Sequence, residues 1–256
     1  MPEYTLDDIE RWDAKIKEKV ESFGLDPYPQ IFELCDYNQM IGYIAYSGMP
    51  SRYPHWSFGK TYEKQKTLYE LGIAGLPYEM VINSNPCLAY LMVDNSLLLQ
   101  ILTIAHVYAH NDFFKNNFNF QHIRAEFTLE KFKAHADRIR KYSEDPRIGL
   151  RKIEPILDAA HSLSLSCRRY ASVKKGLTSK PSKPEKNGET HEFTEKSIGL
   201  AELAKETDTE RVFPQEPEED ILIFIRDNNR KLTEWQKDLL TIVNEESQYF
   251  IPQIET

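Results

Sequence analysis

The sequence predicts an α+β protein: a mainly α-helical single domain with a small β-sheet and a disordered internal linker. Three observations support this prediction. Several segments repeat apolar side chains at the helical spacing of about 3.6 residues. The regions 31–46 and 78–92 hold short apolar runs broken by Pro, Gly and Asn, which is typical of strands and turns. Between residues 173 and 217 large apolar side chains are rare.

The first predicted element is an amphipathic helix over residues 5–22. Thr5 is a suitable N-cap, acidic residues follow it in the first turn, and Gly24 ends the pattern. Strands are predicted at 31–35 and 40–45. The predicted apolar stripe of the helix consists of Ile9, Trp12, Ile16 and Val20.

The segment 48–60 combines Arg52, His55 and Trp56. These cationic and aromatic groups are suited to the wall of a pocket for a polar ligand. The alternative is a rim of surface aromatics that their neighbours partly cover. A helix over 61–72 follows, and it leads to a strand at 78–83 that carries Glu79 as a further pocket candidate.

Residues 87–92 are apolar but too short to distinguish a strand from a helix. Asp94, Asn95 and Ser96 are N-cap candidates for a helix over about 96–115. This helix carries His106 and His110, which project from one face because they are four residues apart. The neighbours on that face predict that it is buried; they are Leu99, Leu102, Thr103, Phe113 and Phe114.

Two buried imidazoles need partners. Either each ring finds a hydrogen-bond acceptor in the core, or the pair binds a divalent metal, zinc first, through neutral nitrogens. A helix over 124–142 places His135 on an apolar stripe, so three imidazoles on two helices predict most of a tetrahedral shell. Asp112 is a pocket candidate only if the helix ends or bends there, since on a regular helix it points away from the His face.

The remaining chain is predicted to hold a helix over 151–171, in which His161 lies off the apolar stripe and is expected at the surface. Residues 173–217 are predicted to be a flexible linker. Two further helices are predicted in 218–256, and their apolar faces are expected to pack back on a core formed by residues 1–172.

Composition excludes several classes of protein. The net charge is −8, with 40 acidic and 32 basic residues, which argues against a nucleic-acid partner. Three cysteines without CxxC spacing predict neither a disulfide framework nor a thiolate zinc site. The first residues are charged, and no run reaches the roughly 18 apolar residues of a membrane span. The expectation is a cytoplasmic protein without an export signal.

Several long motifs together closely resemble the N-terminal part of the stage V sporulation protein R (SpoVR) family. The resemblance covers most of the chain outside the predicted linker. The motifs are FGLDPYP at 23–29, GMPSRYPHWSFGK at 48–60, YEMVINSNPC at 78–87, IAHVYAHNDFFKNN at 104–117, KAHADRI at 133–139, PEEDILIFI at 217–225 and WQKDLLTIVNEESQYFIPQIET at 235–256.

The resemblance implies a link to formation of the spore cortex, a peptidoglycan layer, and other sporulation or cortex-synthesis proteins as partners. Relatives also occur in bacteria that make no spores. The family usually continues beyond the position of Thr256 into an Asn-Glu-Gly-Trp-Ala motif, a histidine and a C-terminal region, which this sequence lacks. A glutamate downstream of an HxxxH pair is the usual third ligand in one large class of zinc peptidases.

Two functions follow from these observations. One is a regulatory or scaffolding protein whose zincin-like His cluster holds the fold together. The alternative is a metal-dependent hydrolase or peptidase that uses the HxxxH helix. Zinc peptidases of this pattern carry Glu after the first His as general base, whereas this chain has Val107, which accepts no proton. The sequence therefore favours the non-catalytic function.

Overall fold

The computed structural model describes residues 4–168 and 220–255. Within them, eight α-helices surround a three-stranded sheet, and the predicted α+β class is confirmed. The predicted linker at 173–217 lies outside the described residues. The helices are α1 (Leu6–Ser22), α2 (Tyr37–Ala45), α3 (Trp56–Glu70), α4 (Leu97–Asn116), α5 (Thr128–Glu144), α6 (Leu150–Ser162), α7 (Ile221–Asn228) and α8 (Glu234–Glu255).

The sheet consists of β1 (Gln30–Cys35), β2 (Glu79–Ile82) and β3 (Cys87–Met92), with β3 in the centre. Strand β3 pairs parallel with β1 and antiparallel with β2. Both of its faces are covered, since Ala89 and Leu91 pack in one core cluster and Tyr90 and Met92 in another. Burial on both faces explains the continuous apolar run, which sequence alone did not distinguish from a helix.

The strand predicted at 40–45 is wrong, because these residues belong to α2. Asp36 and Gln39 form a reciprocal capping box that starts this helix. The helix ends in a turn in which Ser47 and Gly48 have φ angles of 54° and 80°. The apolar run is therefore helical because a strong N-terminal cap precedes it and a left-handed turn closes it.

The buried face of α4 is not the one that the sequence predicted. Ile104, Val107 and Tyr108 pack on α1 and on β3, while Leu102 on the His face is 59% exposed. The helix is apolar on both sides, so its periodicity did not identify the core side. Gln100 and Asn111 are buried because their amides donate to the carbonyls of Met92 and Tyr28.

The largest core cluster joins the end of the described chain to its middle. Leu239, Ile242 and Val243 of α8 pack there with residues of α5, α6 and α7, among them Ile139 and Leu157. Predicted helix bounds differ from the observed ones: α3 starts at its His55 cap, α5 follows a 3-10 turn, and α6 ends at Ser162, nine residues before the predicted end at residue 171. No helix among the described residues is long and apolar enough to cross a membrane.

Candidate metal site

The HxxxH pair lies on the outer face of α4. His106 and His110 stand one turn apart, with their Nε2 atoms 2.9 Å from each other. The two rings are nearly perpendicular, with centroids 4.4 Å apart. The side chain of His106 is 59% exposed, whereas His110 is half-buried. The spacing therefore brings two imidazole nitrogens to one point, at a position open to solvent.

Strand β2 brings a carboxylate to the pair. Glu79 Oε1 lies 3.7 Å from His106 Nε2. One ligand atom from each of Glu79, His106 and His110 lies within 4.8 Å of the others, which forms a cluster able to hold a metal ion. Two ligands of a tetrahedral zinc ion at about 2.05 Å are roughly 3.3 Å apart. The 2.9 Å between the two Nε2 atoms and the 3.7 Å between His106 Nε2 and Glu79 Oε1 fall on either side of that value.

The lowered pKa of His110 favours metal binding. Burial lowers the pKa of His110, and the neighbouring His106 lowers it further. A neutral imidazole has the lone pair that a metal requires. Burial raises the pKa of Glu79, while His106 acts in the opposite direction. A bound cation would offset the cost of burying that carboxylate.

A cavity of about 460 Å³ opens beside the cluster. Three protein ligands would leave the fourth position of a tetrahedral metal free for water, and all three residues line this cavity. Val107 is fully buried, so the residue after the first His does not reach the cavity. Besides the three cluster residues, the cavity is lined by Val81, Ala109, Phe113, Phe114 and Gln253.

The structure does not bring His135 into this cluster. His135 is buried between α5 and α8, where Nε2 lies 3.2 Å from Glu245 Oε2 and Nδ1 lies 3.4 Å from Glu246 Oε1. Burial by itself lowers the pKa of His135, but the two carboxylates outweigh it and the net pKa is raised. The raised pKa favours the protonated imidazole, which has no lone pair for a metal, and both carboxylates lie close enough to pair with it.

Asp112 lies away from the metal cluster, as its position after His110 predicts. Its Oδ1 accepts hydrogen bonds from the backbone N–H of Asp26 at 2.7 Å and from Asn116 Nδ2 at 2.9 Å. The carboxylate therefore fixes the loop that leads into β1. Helix α4 does not end there but continues as far as Asn116.

The three pocket candidates of segment 48–60 lie together, at a second location near α3, α6 and α8. Arg52 forms a buried ion pair with Glu246, with Nη2 2.6 Å from Oε2. His55 caps the N-terminus of α3, and Trp56 Nε1 donates to Asp158 Oδ1 at 2.8 Å. Arg52 and Glu246 line a cavity of about 280 Å³, and Ser57, next to Trp56 in the chain, lines it as well.

The expected surface position of His161 is wrong. Its Nε2 is 2.7 Å from the hydroxyl of the fully buried Tyr53, and its ring packs against that of His55. The sequence also did not identify Asp158 and Glu246 as partners of the 48–60 segment. They are about 100 and 200 residues away, and only the packing of α6 and α8 on α3 brings them there.

Comparison with known proteins identifies the family. The family described as SpoVR like protein matches residues 3–256. An uncharacterized protein, YcgB, of Escherichia coli strain K12 is 36% identical over 264 aligned residues, which cover all of this chain and 51% of that protein. The chain thus spans about half the length of this curated relative. No solved structure matches. The chain belongs to the SpoVR-like family.

Proposed function

We propose that this member of the SpoVR-like family binds zinc at a site that is not itself catalytic and acts as a regulatory or scaffolding component in spore-cortex formation. The observation that carries the metal assignment is the convergence of Glu79, His106 and His110 within 4.8 Å. Two imidazoles and one carboxylate form a donor set that suits zinc. The link to sporulation rests on membership of the family.

The lack of a suitable base supports a non-catalytic metal site. A metal hydrolase needs a proton acceptor beside the metal-bound water. Among the residues that line the cavity, Glu79 is the carboxylate, and as a ligand it is not free to act as base. Val107 faces the core instead. The metal would then hold β2 to α4 and stabilise the surface that both present.

The alternative is a metal-dependent hydrolase, and the adjoining cavity of about 460 Å³ favours it. In this case Glu79 would be the general base rather than a ligand, and water would complete the shell. Purified protein, with and without a chelator, should be assayed on peptides and peptidoglycan fragments. Chelator-sensitive cleavage would establish the hydrolase and contradict the non-catalytic proposal.

Elemental analysis of purified, zinc-loaded protein tests the metal site. We expect one equivalent of zinc in the wild type and none in the double variant with His106→Ala and His110→Ala. Glu79→Gln, which keeps the shape but removes the charge, should weaken zinc binding by at least about tenfold. His122→Ala is the matched control, since His122 Nε2 contacts the Gln248 carbonyl outside the cluster.

Zinc retained by the double variant, or absent from the wild type, would contradict the site. The cellular part of the proposal needs a separate test. A pull-down from sporulating cells is expected to return cortex-synthesis or regulatory proteins. Spores of normal cortex from a deletion strain would count against a function in cortex formation.

A further inference from the structure

A second group of chemically suited side chains lies at the start of α3, apart from the metal cluster. His55 is buried, and its Nδ1 is 2.6 Å from Ser57 Oγ and 3.3 Å from the Ser57 backbone nitrogen. A backbone N–H donates and never accepts, so Nδ1 is the unprotonated nitrogen. The helix cap thus fixes the tautomer, with the ring proton on Nε2 and a lone pair facing the Ser57 hydroxyl.

Asp158 of α6 lies on the other side of the ring. Its Oδ1 is 3.2 Å from His55 Nε2, a short contact that lies outside hydrogen-bond geometry. Trp56 Nε1 donates to the same oxygen at 2.8 Å and holds the carboxylate beside the ring. Catalytic hydrogen bonds are often misaligned in unliganded enzymes and tighten when substrate binds. Ser57, His55 and Asp158 are therefore ordered as nucleophile, base and orienting carboxylate.

The imidazole of His55 is held in the neutral form that a general base requires. Burial lowers the pKa of His55 more than the carboxylates of Asp158 and Glu154 raise it. The imidazole is therefore neutral at pH 7 and able to accept a proton. Ser57 itself is half-buried and lines the cavity of about 280 Å³.

This cavity indicates the kind of substrate. Its apolar wall is formed by five side chains in addition to Phe58, and its volume is at the small end for ligand sites. The buried Arg52–Glu246 pair that also lines the cavity is neutral overall, so it does not select a charged group. A short, uncharged acyl chain is complementary to these walls. The five side chains are Leu165, Val243, Phe250, Ile251 and Ile254.

We propose that Ser57, His55 and Asp158 form a serine-dependent acyl-transfer site that takes esters of short, uncharged acyl groups. The Ser57 oxygen attacks the ester carbonyl, and its proton passes to His55 Nδ1. The C–O bond to the alcohol breaks, and the alkoxide takes that proton as it leaves. Water then hydrolyses the acyl-serine by the same proton path in reverse. Because Ser57 lies in the first turn of α3, the oxyanion forms at the positive end of a helix.

An alkyl fluorophosphonate probe tests the nucleophile directly. The full chain should be labelled at Ser57, located by peptide mass spectrometry, and should hydrolyse p-nitrophenyl butyrate. Ser57→Ala should lose both reactions. Ser164→Ala is the matched control, since Ser164 lines the same cavity without a histidine partner among the described residues. Absence of an adduct, or an adduct and hydrolysis that survive Ser57→Ala, would overturn the proposal.

Two further variants separate chemistry from folding. His55→Asn keeps a good N-cap for α3 but removes the base, so the acylation rate should fall by roughly 100-fold or more. Asp158→Asn, at a positioning residue, should lower kcat and leave KM unchanged. Unchanged kcat in either variant would overturn the assigned roles. Labelling should also survive a chelator and the His106→Ala, His110→Ala double variant, which separates this site from the metal site.

Discussion

His135 and Glu245 hold each other in their charged forms across the contact between α5 and α8. Hydrogen bonding to His135 lowers the pKa of Glu245 to about 2, against the opposing effect of burial, with further help from Lys131. The same contact contributes to the raised pKa of His135. Each shift makes the stability of the protein depend on pH, with opposite signs.

The pair predicts a maximum of stability in mildly acidic solution. The Glu245 contribution is present above its ordinary pKa of 4.5 and is lost as the pH falls toward about 2. The His135 contribution is present below its ordinary pKa of 6.5 and is lost as the pH rises through its elevated value. In urea unfolding from pH 3 to pH 9, the free energy of unfolding of the wild type should exceed that of His135→Gln by the largest amount between about pH 4.5 and 6.5. A pH-independent difference would contradict this assignment.

Among the elements, α2 and the turn after it show how backbone conformation positions the sheet. Gly48 has φ 80°, and a Cβ there would lie 3.1 Å from Met80 Sδ of β2. Gly42 is inside α2, and a Cβ there would meet no atom within 4 Å. A side chain would therefore be strained at Gly48 but accommodated at Gly42, although the two glycines are only six residues apart in one apolar segment.

Substitution of these glycines by alanine should change stability in opposite directions. Gly48→Ala is expected to reduce the free energy of unfolding by about 1–2 kcal/mol, because alanine is strained at positive φ. Gly42→Ala should increase it by about 0.5–1 kcal/mol, because it removes a flexible residue from a helix interior. Chemical denaturation of both variants measures the difference. A loss of stability in Gly42→Ala would contradict the helical assignment of residues 37–45.

At the scale of the whole molecule, α8 connects the separate parts of the fold. Its middle is buried against α5, α6 and α7, and Tyr249 reaches the cluster that contains Tyr90 of β3. Glu246 pairs with Arg52, and Gln253 lines the cavity beside the metal cluster. A change in α8 is therefore expected to affect both candidate sites through packing.

Core and surface leucines should differ sharply in their effect on stability. Leu239→Ala removes a fully buried side chain of α8 and should cost about 2–5 kcal/mol. Leu102→Ala, on the exposed face of α4, should change stability by no more than about 0.5 kcal/mol. Equilibrium unfolding of the two variants provides the comparison. An equal loss in both would mean that the His face of α4 is buried, as the sequence predicted.

The local elements of this protein were largely predictable from its sequence. Helices α1 and α4 are predicted within a few residues of their bounds, because caps such as Thr5 and Ser96 and apolar periodicity act over short distances. The juxtaposition of His106 and His110 is also local, since four residues make one helical turn.

What only the tertiary structure decided is which of these local pieces meet. It placed Glu79 beside the His pair, moved His135 to the carboxylates of α8, and turned the His face of α4 outward. The sequence of a helix that is apolar on both sides does not determine which side is buried. For α4, the buried side depends on the total apolar area that the sheet and α1 cover. Contacts between distant segments are fixed by that collective packing, which no single motif encodes.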